Sequence, residues 1–154
     1  MGFGALAPLS PTHDVFLQRM TIDYRESREL PREAVLALYR ENDWSAATKP
    51  DALLAALSAS HALVTAWEGV RLIGLGNAIS DGHLVVYYPH LLVLPAYQGR
   101  GIGRALMQRL MARYAGFHMQ MLTADGRAIP FYEKCGFVRA GQTEPMWIYA
   151  GSDH

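Results

Sequence analysis

Leu91-Leu-Val-Leu-Pro-Ala-Tyr-Gln-Gly-Arg-Gly-Ile-Gly-Arg-Ala-Leu-Met-Gln-Arg-Leu-Met-Ala-Arg-Tyr114 is the stretch on which the fold turns. The apolar run Leu91 to Leu94 stops at Pro95, and a glycine-rich loop with Gly99, Gly101 and Gly103 follows. Beyond it Ile102, Leu106, Leu110 and Met111 recur at helical spacing, with Arg104, Gln108, Arg109 and Arg113 between them. This predicts a strand, a tight turn and a helix over 101–114. Glycines at a helix entry allow positive φ and close approach of a ligand to the backbone. The first N–H groups of a helix have no internal partner and lie at its partly positive end. Such a loop suits a phosphate.

Three phosphate-loop patterns can be compared with it. A P-loop requires Gly-Lys-Ser/Thr at its end, and no lysine follows these glycines. A dinucleotide fingerprint read from Gly101 needs a third glycine where Leu106 stands. The pattern Gln/Arg-x-x-Gly-x-Gly/Ala is met by Gln98, Gly101 and Gly103. Here the chain resembles the GNAT superfamily of N-acetyltransferases, whose loop of this form holds the pyrophosphate of acetyl-coenzyme A. A second stretch, Asp125-Gly-Arg-Ala-Ile-Pro-Phe-Tyr-Glu-Lys-Cys-Gly-Phe137, resembles that family's Asn-x-x-Ala-x-x-Phe-Tyr-x-x-x-Gly-Phe. Ala128, Phe131, Tyr132, Gly136 and Phe137 match, one helix and one strand after the first motif, and Asp125 stands in place of the usual Asn. The resemblance is close from about Leu84 to Phe137 and looser elsewhere.

The rest of the chain bounds the reading. Its 154 residues suit one domain over 15–150 with a real core, preceded by an arm over 1–14 rich in Gly, Pro, Ser and Thr. Hydrophobic content of 51% with 18% charge is that of a globular fold. A formal net charge of zero and no basic block argue against nucleic acid as a partner. No run approaches the roughly 20 apolar residues of a membrane helix, and the first residues lack the form of a signal peptide. The lone Cys135 excludes an intrachain disulfide and a cysteine-rich metal site, and the histidines have no metal spacing. A cytoplasmic enzyme without a metal is expected.

The pattern predicts a strand over 16–24, a helix opened by Pro31 and ended by Asn42 and Asp43, and a second helix opened by Pro50. Strands are predicted over 61–67 and 71–79, with Glu68-Gly69 as the turn, and over 84–94 after Ser80-Asp81-Gly82. A fifth strand is predicted over 117–123, with Phe117, Met119 and Met121 alternating against His118 and Gln120. A short helix over 127–134 follows, interrupted at Pro130 and capped by Gly136. Val138–Ala140 and Met146–Tyr149 are expected to close as a final hairpin. The helix between strands four and five is a crossover, so those two strands should be parallel. The fold class is α/β (α+β): a mixed, mainly antiparallel sheet flanked by helices, with strands four and five splayed.

The resemblance implies acetyl transfer from acetyl-coenzyme A to a primary amine by direct attack. Backbone groups of Leu92, Val93 and Leu94 would pair with the pantetheine arm as an added strand. Gln98, Gly99, Arg100, Gly101, Ile102, Gly103 and Arg104 would hold the pyrophosphate, with Asp125 beside the arm. Tyr132 stands where the family places its general acid; a phenol of pKa ~10 can protonate a thiolate whose conjugate acid has pKa ~8.5. His90 occupies a strand position where many relatives carry Asp, and a histidine of pKa ~6.5 can act as base; proton release through water is the rival. Trp44, Tyr88 and Trp147 are candidates for the acceptor pocket. A non-catalytic acyl-coenzyme A sensor or partner subunit on the same fold is the alternative reading, and a homodimer is possible.

Overall fold

The computed structural model of the chain describes residues 21–153. The expected arm over 1–14 and most of the first predicted strand lie outside them. Within them the elements run β1 (Asp23–Arg25), α1 (Arg32–Glu41), a 3-10 turn (Ser45–Thr48), α2 (Pro50–Ala59), β2 (Ala62–Glu68), β3 (Arg71–Ser80), β4 (Val85–Tyr87), β5 (Leu91–Val93), a second 3-10 turn (Pro95–Tyr97), α3 (Ile102–Ala112), β6 (Met119–Met121) and α4 (Ile129–Lys134). The strands form one mixed sheet in the order β1-β2-β3-β4-β6, with β5 also on β3. All pairs are antiparallel except β4 with β6, which is parallel. The fold class is the mixed, mainly antiparallel sheet that the sequence predicts, with the parallel pair where the crossover demands one.

The helices begin where the chain chemistry allows. Pro31 caps α1 and Pro50 occupies the first turn of α2, both with no N–H to leave unpaired. Val35, Leu36, Leu38 and Tyr39 are the buried side of α1. In α3 the buried residues are Ile102, Leu106, Met107 and Leu110. Leu106 and Leu110 lie over Gly74 and Gly76 of β3: a Cβ added at Gly76 would stand 2.8 Å from Leu110 Cδ1, and one at Gly74 3.1 Å from Leu106 Cδ1. Two side chains deleted from the sheet therefore let the helix settle close to it. Each fully buried leucine contributes about 1.5–3 kcal/mol of transfer free energy. α1 also packs on β3 and β5.

Four expectations change. The strand predicted over 84–94 is two strands, because Tyr87 pairs with Ile79 while Leu91 pairs with Gly76. Four residues are thus spanned on one side against three on the other, which is a bulge. Pro89, lacking an N–H, sits in it. Asn77 holds it: its N–H donates to the His90 carbonyl (3.0 Å), and its Oδ1 accepts from the His90 N–H (3.0 Å). Secondly, the face of β6 is the reverse of the apolar reading. Met119 and Met121 are exposed, while Gln120 turns inward to accept from Tyr88 Oη (2.7 Å) and to donate to the Tyr114 carbonyl (3.2 Å). Thirdly, Pro130 does not interrupt a helix but lies in the first turn of α4, where its missing N–H costs nothing.

Lastly, residues 138–149 form no hairpin. Pro145 removes a ladder donor and Gly141 takes φ +66°, so the segment cannot supply a regular strand. Its end is tied instead to Ser45.

Candidate active site

The sheet opens beside β5. β6 pairs with β4, and Tyr88 N–H still reaches the Met121 carbonyl (3.0 Å), but among the described residues β5 has no strand partner on that side. Alternation in an antiparallel pair decides which groups face the opening. Leu94 N–H donates to Ile73 O (2.8 Å), and Asn77 N–H to His90 O, so His90, Leu92 and Leu94 point toward β3. The Leu94 carbonyl is also taken, by Tyr97 N–H (2.8 Å). The groups facing the opening are therefore those of Leu91 and Val93. Of the expected trio, the register leaves Val93 on the free edge, turns Leu92 and Leu94 away, and adds Leu91. The Val93 carbonyl accepts from Asn42 Nδ2 (3.1 Å) and Gln98 Nε2 (3.0 Å). Its N–H, like both backbone groups of Leu91, has no partner among the described residues.

Gln98, the first residue of the glycine motif, thus fastens the loop to the end of β5, and its amide also donates to Asn42 Oδ1 (3.2 Å). The loop then turns through Gly99 (φ +77°) and Gly101 (φ +82°), both in the left-handed region that glycine tolerates. Space around both is open: a Cβ at either would meet nothing within 4 Å. Gly101 caps α3 without a side-chain bond, and the first turn carries no acidic residue. Ala105 N–H is the first to be satisfied within the helix, by Gly101 O (3.1 Å). The N–H groups of Ile102, Gly103 and Arg104 have no bond among the described residues, at the positive end of an eleven-residue helix. The Ile102 side chain itself is core. Arg100 and Arg104 are exposed, Arg100 over the Tyr97 ring at 5.3 Å.

The second motif reaches the first through Phe131. Its ring would be 3.5 Å from a Cβ at Gly103, so α4 rests on the entry of α3. Asp125 orders the turn before α4, its Oδ1 accepting from Gly126 N–H (2.9 Å) and its carbonyl from Ala128 N–H (2.7 Å). Tyr132, the next residue after Phe131, packs edge-on against Phe131 and Phe137. Its hydroxyl has no hydrogen-bond partner among the described residues. Burial, with a smaller push from Cys135, raises the phenol to about 12, so it is protonated at neutral pH. Arg104 lies near enough to Cys135 to oppose the upward push of burial on that thiol.

A second cluster sits at the bulge. His90 Nδ1 is 2.6 Å from Tyr39 Oη, and Trp44 stands edge-on to both rings. Trp44 is placed there by Asp43, which takes φ +58° and turns the chain out of α1 so that Trp44 N–H returns to the Tyr39 carbonyl (3.0 Å). Burial pushes the Tyr39 phenol far above its ordinary range, so Tyr39 donates and Nδ1 accepts. Neutral His90 then carries its proton on Nε2. Burial lowers its pKa to about 4, against an opposing pull from Asp153. Trp44 and His90 are thus brought together. Tyr88 is not with them: it is buried against Tyr114 and Phe137, its hydroxyl on Gln120. Trp147 is 62% exposed and stacks on Tyr149.

The His90 value has a consequence for stability. Between pH 6.5 and about 4 the unfolded chain binds a proton there that the folded protein refuses. Folding stability therefore falls as pH drops through that window, by roughly 3 kcal/mol. Urea unfolding at pH 7 and at pH 4.5 should show this loss, and His90→Gln should reduce it. An equal acid loss in the variant would contradict the buried neutral imidazole.

Sequence reasoning did not find Asn42, Asn77, Tyr39 or Leu91. Asn77 alone left a trace, as a lone amide inside the apolar strand Leu72 to Ile79. Among the described residues no group of three or more His, Cys, Asp or Glu is placed to hold a metal, and no helix is long and apolar enough to cross a membrane.

Comparison with known proteins agrees with this geometry. The Acetyltransferase (GNAT) family profile matches residues 20–137. A histone acetyltransferase, TAP1, of Glycine max is 36% identical over 72 residues, which are 46% of this chain and 31% of that protein. The N-alpha-acetyltransferase RimI of Mycobacterium tuberculosis is 38% identical over 61 residues, 38% of this chain and 39% of that one. The chain thus matches only about a third of the length of these relatives. Among solved structures, a GNAT family acetyltransferase of Streptococcus pneumoniae superimposes with a TM-score of 0.72 at 29% identity, over 84% of this chain and 99% of the other. With a match to that family over residues 20–137, the chain belongs to the GNAT acetyltransferase family.

Proposed function

We propose that the protein transfers the acetyl group of acetyl-coenzyme A to the primary amine of a small molecule. The observation that carries this is the juxtaposition of the Leu91 N–H and carbonyl and the Val93 N–H, which have no partner among the described residues, with the N–H groups at the entry of α3. An extended amide-bearing arm can add to the first, and a diphosphate can sit on the second. The open space at Gly99 and Gly101 leaves room for the phosphates, and Arg100 and Arg104 add positive charge beside them. When bound, the thioester supplies an activated acyl carbon and a thiolate leaving group.

The chain's own residues have three tasks. The β5 edge and the α3 entry orient the thioester. Tyr132, kept protonated by burial, gives its proton to the departing sulfur as the new C–N bond forms and the C–S bond breaks. The amine must lose a proton as well. His90 is too weak a base to be its main acceptor, with its pKa near 4 and its neutral ring protonated on Nε2 while Nδ1 is engaged by Tyr39; water carries that proton away. Trp44 and His90 then form the wall against which the acceptor lies, while Tyr88 supports the splay from within the core.

Thiol release from acetyl-coenzyme A tests the reading, with tyramine, glucosamine 6-phosphate and a peptide bearing a free α-amine as acceptors. Release that depends on tyramine or the sugar amine is expected. Release with the peptide alone would replace the small acceptor by a polypeptide. Thermal stabilisation by acetyl-coenzyme A with no release from any acceptor would favour a non-catalytic acyl-coenzyme A sensor.

A further inference from the structure

The C-terminal segment lies against the same cluster. Asp153 Oδ1 accepts from Ser45 N–H (2.7 Å), Ser152 N–H donates to Ser45 Oγ (3.2 Å), and Tyr149 Oη is 3.5 Å from that Oγ. Three ties thus converge on the residue after Trp44, whose ring is 5.2 Å from that of His90. A depression of about 440 Å³ follows the contact, lined by Arg40, Asp43, Trp44, Ser45, Thr48 and Ser152 among others. Gly151 makes the fit possible. A Cβ there would stand 2.2 Å from Tyr149 Oη and 2.7 Å from Ser45 Oγ.

We propose that residues 149–153 form one wall of the acceptor site, and that the Asp153 carboxylate receives the ammonium group of the acceptor. The inference rests on the transferase reading above. Tyr39, Trp44 and His90 carry no charge of their own at neutral pH, and the depression beside them adds one charge of each sign, Arg40 and Asp43, among the described residues. An ammonium entering such a place must exchange its hydration for a compensating charge, and Trp44 can add only a cation–π attraction. Asp153 is the charged group whose field is felt at His90. Among the described residues, Tyr39 from α1 also faces the imidazole, while β3 presents Asn77. The acceptors favoured are therefore amines that arrive protonated.

Asp153→Asn is the informative change, because the amide oxygen can keep the bond to Ser45 N–H while the charge is lost. It should raise KM for the amine by about 10- to 100-fold, with kcat and KM for acetyl-coenzyme A little changed. Gly151→Val, which forces the segment away from Ser45, should reproduce that pattern. A structural cap alone would separate the two variants, with Gly151→Val impaired and Asp153→Asn unaffected. An unchanged amine KM in Asp153→Asn overturns the proposal. If the wild-type protein releases no thiol with any amine, the transferase reading fails by itself. The carboxylate is then tested by titrating tyramine against the His90 ring resonances. They should move in the wild type and not in Asp153→Asn; equal behaviour of the two proteins overturns the assignment.

Discussion

Gly101→Val is expected to abolish acetyl-coenzyme A binding. The residue caps α3 at φ +82°, a conformation that costs an L-residue about 1–2 kcal/mol, and a β-branched one more. The turn can relieve that strain only by moving the N–H groups of Ile102, Gly103 and Arg104 that converge beyond it. A valine side chain would also fill space now open. Two charge-assisted hydrogen bonds at about 1.5–3 kcal/mol each put the loss of affinity at roughly 100-fold or more. Calorimetric titration measures it. Gly116→Val separates strain from ligand, since Gly116 has φ +83° and lies beyond the far end of α3. It should lose stability to a similar extent yet keep wild-type affinity. Wild-type binding by Gly101→Val would leave the glycine loop as a turn and nothing more.

Tyr132→Phe should lower kcat by about 10²- to 10³-fold, within the range of a positioned general acid, and leave the Kd for acetyl-coenzyme A within a few-fold. The ring contacts with Phe131 and Phe137 survive the change, so packing is not the variable. The hydroxyl makes no hydrogen bond among the described residues, so its removal orphans no partner. Because the phenol is raised to about 12, it stays protonated well above neutrality. The wild-type kcat should accordingly show no loss on the alkaline side below about pH 10 from this group. Single-turnover measurements with saturating acetyl-coenzyme A separate chemistry from product release. Turnover equal to wild type would remove Tyr132 from the role of acid and leave it a packing aromatic.

Much of this was legible in the chain. The strand, glycine turn and helix from Leu91 to Ala112 follow from local chemistry: an apolar run ended by proline, residues able to take positive φ, then a 3.6-residue apolar period. The second motif placed a helix at Phe131-Tyr132, and the crossover through α3 required a parallel pair. What misled was the assumption that apolar means inward. β6 is three residues long and at the sheet edge, so its methionines face out while Gln120 serves Tyr88 and Tyr114. The apolar run Met146-Trp-Ile-Tyr149 likewise suggested a strand, but a strand exists only where a partner edge meets it.

The sequence by itself determined the entry of α3, the proline-led starts of α1 and α2, the antiparallel order through β3, and the pairing of both motifs in one chain. Those are properties of a few adjacent residues, governed by backbone sterics and by periodicity. Only the tertiary structure decided which backbone groups of β5 are free. A single extra residue at Pro89 changes the register, and register is a relation between two strands that neither carries alone. It likewise decided the company of His90. Tyr39 comes from α1, Asn77 from β3, and Asp153 from a segment tied to Ser45. Residues so far apart in the chain act on one imidazole because burial and charge depend on distance in space, and not on distance in sequence.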